Sequence, residues 1–293
     1  MRGERRAGWG FTAPALFLIV TCFFLPVAAG LLLSVTDFDI YAIASPDTAR
    51  NVGLTNYQRL LADPVFIKAL LNTLYFVVVG GPLSVAVSLA AALLLASKLA
   101  RFPGLYRSVY FAPVVTTLVA VAVIWRYLFN PHYGLLNYAL GRIGIPPIDW
   151  LGDPHWAMPA IIVLAVWKNF GYNMIILLAG LQSIPEQLYE AARIDGASMW
   201  RQFRHVTLPM LAPIVATVNI LTIAGYFQLF AEPYVMTQGG PLQSTVSVLY
   251  FMYEEGFKWW NLGSASAVAF VLFLFIFCVT ALQLRLARWQ SAA

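Results

Sequence analysis

Six apolar runs, each long enough to cross a bilayer, decide what this chain can fold into. They lie at residues 13–35, 70–96, 109–128, 157–181, 208–231 and 263–284. A helix needs about 20 apolar residues to span the hydrocarbon. With no water at that depth, only a helix or a closed barrel satisfies its own backbone. Hydrophobic residues make up 60% of the 293 and charged ones 11%, against roughly half and a quarter in soluble domains. No soluble core of this length hides so much apolar surface. The expected class is all-α: one polytopic domain over 13–288 with six transmembrane helices, an amino terminus over 1–12 and a tail over 289–293.

The first run follows the basic stretch Met1-Arg-Gly-Glu-Arg-Arg6. A cleavable signal would carry an apolar part of roughly 7–15 residues. The run 13–35 is a full span, so it reads as a retained helix, kinked at Pro26. Gly80-Gly-Pro82 interrupts the second run; such a break faces protein or a water-filled cavity, and a packing kink is the simpler reading. Six spans put both termini on one side. Lys and Arg number eleven in the termini, the 97–108 connection (Lys98, Arg101, Arg107) and the 182–207 loop, against five in the alternate loops. The Lys- and Arg-rich side is the cytoplasmic one. Both termini and the 182–207 loop are therefore expected in the cytoplasm.

Catalysis finds no support. Glu254 and Glu255 are adjacent and do not converge on one face, and His132, His155 and His205 form no metal-spaced pair. Cys22 and Cys278 sit in apolar runs, which excludes neither lipid nor helix packing but disfavours a disulfide. Without a Gly-Lys dipeptide there is no Walker A loop, so ATP is not bound that way. The chain reads as no enzyme, with no cofactor or metal of its own.

Polar groups within spans are functional candidates by default. Lys168, Asn169, Tyr172 and Asn173 lie in the fourth run; Asn219, Thr222, Tyr226 and Gln228 lie in or just after the fifth. Together they offer donors, acceptors and aromatic faces suited to a sugar, with Glu232 or Asp149 as possible partners of Lys168. Polar packing between helices is the competing reading.

The stretch 183–209 is a polar island. Ser183 with Glu186 fits a capping box, and Gly196 falls where a left-handed residue ends a helix. The helix so bounded has about 12 residues and roughly 18 Å of length. Glu186 and Glu190 share a face, with Arg193 beside Glu190, and Ala191 and Ala192 leave another face bare. A membrane-surface helix and a docking helix are both compatible with that pattern.

Glu190-Ala-Ala-x-x-Asp-Gly196-Ala, followed by Thr207-Leu-Pro209, resembles the EAA loop of ATP-binding-cassette importer permeases. Gly53-Leu-Thr-Asn-Tyr57, Asn72-Thr73, Ala112-Pro113, Leu181-Gln-Ser-Ile-Pro185, Thr237-Gln-Gly-Gly-Pro-x-x-Ser-Thr245 and Gly263-Ser-Ala-Ser-Ala267 resemble the carbohydrate-uptake branch, in particular the first of two unlike permeases of the maltose and glycerol-phosphate type. The resemblance implies a bacterial or archaeal cytoplasmic (inner) membrane complex. Its partners would be a second homologous permease, two ATPase subunits holding ATP and magnesium, and an extracytoplasmic substrate-binding protein. No nucleic acid is involved. It implies ATPase coupling through Glu186, Glu190, Ala191, Ala192, Asp195 and Gly196, and docking of the binding protein on Gly239, Gly240 and Pro241. A path lined by Lys168, Asn169, Tyr172, Asn173, Thr222, Tyr226 and Gln228 would carry a sugar by alternating access. The alternatives are glycerol-phosphate or a polyol as cargo, where Lys168 would face an anion, or an ion-coupled secondary carrier, which would want carboxylates inside its spans.

Overall fold

The computed structural model describes residues 2–45, 50–97 and 101–292. Its long helices are α1 (Trp9–Ser34), α2 (Pro64–Ala96), α3 (Pro103–Val115), α4 (Leu118–Leu128), α5 (Pro154–Gln182), α6 (Glu186–Ile194), α7 (Met199–Tyr226) and α8 (Leu262–Ala292). Among the described residues five helices are long and apolar enough to cross a membrane, or six with α3 and α4 as one broken span. Lys98 lies outside the described residues, as do the side chains of Arg2, Arg5, Arg6 and Arg288. Residues 289–292, expected as a separate tail, continue α8.

Prolines shape these helices. Wide π-type turns at Val20–Phe24, Phe76–Gly80 and Phe203–Thr207 are each followed two residues on by a proline: Pro26, Pro82 and Pro209. Proline lacks an N–H, and its ring presses on the carbonyl four residues back. A wider turn relieves that pressure without ending the helix. At Gly80-Gly-Pro82 α2 runs through on such a turn, in keeping with a packing kink and not with a broken backbone. The span expected over 109–128 is not straight. There α3 and α4 meet at 99° across Thr116 and Thr117, both extended, with ψ of 149° and 135°. The Thr116 hydroxyl donates to the Pro113 carbonyl at 2.6 Å, which gives that helix end a local alternative to continuing.

The chain forms two compact units. One holds residues 1–67 and 251–273. Its α1 is exposed along nearly its whole length. The carbonyls at the end of α1 have no partner within the helix. Asn56 supplies one, donating to the carbonyls of Ser34 and Thr36 at 2.9 and 2.8 Å, and the Tyr57 hydroxyl donates to Ser34 Oγ at 2.7 Å. The Gly53–Tyr57 motif is thus a clasp on the end of the first helix.

The other unit holds residues 68–250 and 274–293. Its core is shared by α2 (Val85, Ala92, Leu95), α5 (Met174, Leu177, Leu178) and α7 (Leu211, Val218). In lipid, helices gain little from burying apolar area and much from close packing, which small residues permit. At Gly171 a Cβ would overlap the Tyr110 carbonyl oxygen of α3, and at Gly180 it would overlap Ile214 Cδ1 of α7. The loop 237–247 is tied to α2 by side-chain hydrogen bonds. Lys68 Nζ donates to the Leu242 carbonyl at 2.5 Å, Asn72 donates to the carbonyls of Gln243 and Val246 at 2.9 Å each, and Thr73 Oγ1 accepts from the Val248 N–H at 3.0 Å.

Candidate substrate cavity and coupling surface

A cavity of about 510 Å³ opens in the second unit, walled by α2, α4, α5, α7 and the short helix Ala231–Met236. Asn169, Tyr172, Asn173, Thr222, Tyr226 and Gln228 all line it. Residues 169, 172 and 173 fall on neighbouring positions of one helix face, and 222 and 226 do the same on α7. Asn173 Nδ2 donates to Thr222 Oγ1 at 2.9 Å, and both side chains are buried, so this pair also joins the two helices. Tyr172 stands half open to the cavity at 49% exposure, whereas Tyr226 is 5% exposed. The Tyr226 ring packs 4.8 Å from Phe76 and against Gly80, where a side chain would crowd it. Its hydroxyl lies near Ser84 and Asn169 yet bonds to neither.

Lys168, expected beside these residues, does not line the cavity. Its ammonium donates to the carbonyls of Pro113, Val114 and Thr116 at 2.6, 3.0 and 2.9 Å. Neither Glu232 nor Asp149 is its hydrogen-bond partner. The last carbonyls of α3 have no helical partners because the chain turns away, and Lys168 supplies three donors at that corner. Asn219 also falls elsewhere, in a groove of about 630 Å³ with Gln283 between α7 and α8.

Among the lining residues that the sequence alone does not single out are Phe76, Phe230 and Glu232. Glu232 was weighed only as a partner for Lys168; its position just past an apolar run is the signal that it enters a buried site. It is 8% exposed. Burial holds its carboxyl above the ordinary range, while a hydrogen bond from its own backbone N–H and, less, the Lys168 charge draw it partly back.

Within the polar island, α6 stands clear of the helical core. No residue of α6 is buried. The capping box is corrected: Ser183 donates to the Gly180 carbonyl at 2.8 Å, because α5 runs through Gln182 and Ser183 completes its end. The cap position of α6 is Pro185, without a side-chain cap, and the helix has 9 residues. Gly196 does take the left-handed conformation, with φ 72°. Arg193 pairs with Glu186 at 3.9 Å rather than with Glu190, and between exposed groups such a pair contributes little. Glu186, Glu190, Ala191, Asp195 and Gly196 are exposed and Ala192 is half-buried. Beside them Ile194 and Met199 are each 87% exposed and Trp200 66%, an apolar surface that nothing among the described residues covers.

In the 237–247 loop, Gly239 is buried, and Gly240 and Pro241 are half-buried. Gly239 has φ 82°, and a Cβ there would meet Val246. These residues shape the loop, and the exposed ones are Gln238, Leu242 and Gln243.

Fold and cavity together define a multi-span membrane transport protein. The chain belongs to the family described as binding-protein-dependent transport system inner membrane component, which matches residues 84–291. It is 38% identical over 291 residues to the lactose transport system permease protein LacF of Rhizobium radiobacter, covering 96% of this chain and 94% of that one. It is 35% identical to the sn-glycerol-3-phosphate transport system permease protein UgpA of Agrobacterium fabrum, covering 93% and 92%. Its fold superposes with a TM-score of 0.84, at 19% identity over 98% of this chain and 95% of the other, on a chain of the bacterial alginate ABC transporter in complex with alginate pentasaccharide-bound periplasmic protein.

Proposed function

We propose that this chain is one of two permease subunits of an ATP-binding-cassette importer for a neutral sugar or glycoside. Two unlike permeases would enclose the path, and two ATPase subunits carrying ATP and magnesium would seat on α6 and the Ile194–Trp200 surface in the cytoplasm. An external binding protein would deliver cargo onto the Gln238–Gln243 loop. The observation that carries the proposal is the pairing of an uncovered helix bearing Glu190-Ala-Ala with a polar, aromatic-walled cavity lined by α7 residues.

The cavity also bears on the cargo. A phosphate or carboxylate would need a free cation, yet Lys168 is engaged by three carbonyls and the ionisable group lining the wall is the acid Glu232. A carboxylate can accept from hydroxyls, and aromatic rings offer faces to the C–H side of a sugar. A neutral polyhydroxyl cargo fits that environment better than glycerol-phosphate. Alternating access requires roughly 5.5 kcal/mol of differential binding to move populations from 1:99 to 99:1, which ATP and the docked binding protein would supply.

The test is uptake by the assembled complex in proteoliposomes. Glu190→Arg is expected to abolish ATP-driven uptake while the external protein still captures cargo. Uptake by this chain without ATPase subunits would refute the proposal.

A further inference from the structure

The coupling helix touches the rest of its unit through very little. Every residue of α6 is exposed or half-buried, and beyond it Gly196 turns the chain away with no neighbour nearby. One side-chain hydrogen bond bridges the gap: Tyr189, in the middle of α6, and Thr207 share a hydrogen bond of 2.9 Å between their hydroxyls. Tyr189 is half-buried and Thr207 is 5% exposed. Thr207 closes the wide turn Phe203–Thr207, directly ahead of the helical rod Leu208–Tyr226. That rod presents Thr222 and Tyr226 to the cavity. At 1.5 Å per residue, Thr222 lies about 22 Å along the rod from Thr207.

We propose that the Tyr189–Thr207 hydrogen bond is the strut through which movement of the coupling helix reaches the cavity. The inference rests on the importer reading above. The segment 195–206 alone is a poor transmitter, because it can flex at Gly196 and in the widened turn at the start of α7, where backbone bonding is less regular than in an α-helix. A side-chain bond that skips the loop removes that slack. Tyr189 is therefore a positioning residue: it touches neither cargo nor nucleotide, and its removal changes how much of each stroke arrives. A hydroxyl pair suits the task, since one ordinary hydrogen bond holds the angle between helix and rod without locking it against the rearrangement that alternating access needs.

The test uses the complete importer in proteoliposomes, measuring cargo taken up and ATP hydrolysed in the same preparation. Tyr189→Phe is expected to lower cargo transported per ATP about five-fold, the ratio that one hydrogen bond of ordinary net strength supports. Assembly and ATP hydrolysis are expected to persist. Thr207→Val is expected to do the same, the double variant to be no worse than either single one, and Thr207→Ser to restore coupling. A wild-type cargo-to-ATP ratio in Tyr189→Phe, or additive losses in the double variant, would overturn the strut. Wild-type uptake that proceeds without ATP would overturn the importer reading and the strut with it, so the two failures are told apart by the wild-type control.

Discussion

Replacing Lys168 by Met keeps the length of the side chain and removes its charge. In the wild type the ammonium bonds to Pro113, Val114 and Thr116 carbonyls at 2.6, 3.0 and 2.9 Å. The three do not count equally. Pro113 keeps the Thr116 hydroxyl as a donor at 2.6 Å, and the Thr116 carbonyl sits at an exposed contact where water can replace Lys168. Val114 is left with nothing. The Val114 contact is part-buried, so its loss falls toward the low end of the about 1–3 kcal/mol that an orphaned acceptor costs, although bonds to a charged donor are the stronger kind. With partial loss at the other two carbonyls, the expected destabilisation is about 2–3 kcal/mol. For a protein of this size that is a fall of about 5–10 °C in the thermal midpoint of the solubilised complex. Half-saturation for cargo is expected to stay within about two-fold in the complexes that remain folded, since Lys168 is not on the cavity wall. An unchanged midpoint together with a large rise in half-saturation would show that Lys168 contacts cargo and does not hold the bend.

Tyr172→Ala is expected to raise the half-saturation for uptake about three- to ten-fold, the value of an aromatic contact, with little change in stability because the ring is 49% exposed; unaltered uptake would remove Tyr172 from the path. Gly171→Val is expected to prevent assembly, seen as loss of the complex in size-exclusion chromatography, because the new side chain meets the rigid Tyr110 carbonyl. Glu232→Gln tests the cavity charge. Its carboxyl is held high, chiefly by burial, so its contribution to stability is full at acid pH and is lost as pH rises through the raised value. The variant is expected to exceed the wild type in stability at about pH 8, with the gap closing toward about pH 4; a gap that widens on acidification would contradict the burial argument.

Much of this was legible because membranes are strict. Each apolar run answers to one requirement, and Gly196 announced its turn because the left-handed conformation there suits glycine. The cavity residues 169, 172, 173, 222 and 226 were legible for the same reason: polar groups are rare at that depth and sit where helical period puts them together. What escaped reading depends on distant partners. The role of Lys168 is set by carbonyls 52 to 55 residues away, and carbonyls carry no signature in a side-chain alphabet. Ser183 matched a capping box but was already engaged in finishing α5. The α3–α4 bend rests on two extended threonines in a run whose composition looks like any other span, whereas Gly80-Gly-Pro82 stays a kink because a widened turn accommodates a proline without stopping the helix.

The most direct test of the whole account is where residue 191 faces and what covers it. Cys22 and Cys278 are both exposed, so they are first replaced by Ser. Ala191→Cys is then treated with a membrane-impermeant maleimide. The account expects no labelling on intact cells, labelling in inside-out vesicles stripped of peripheral subunits, and protection once the ATPase subunits are added back. Labelling from outside intact cells, or indifference to the ATPase subunits, would contradict it.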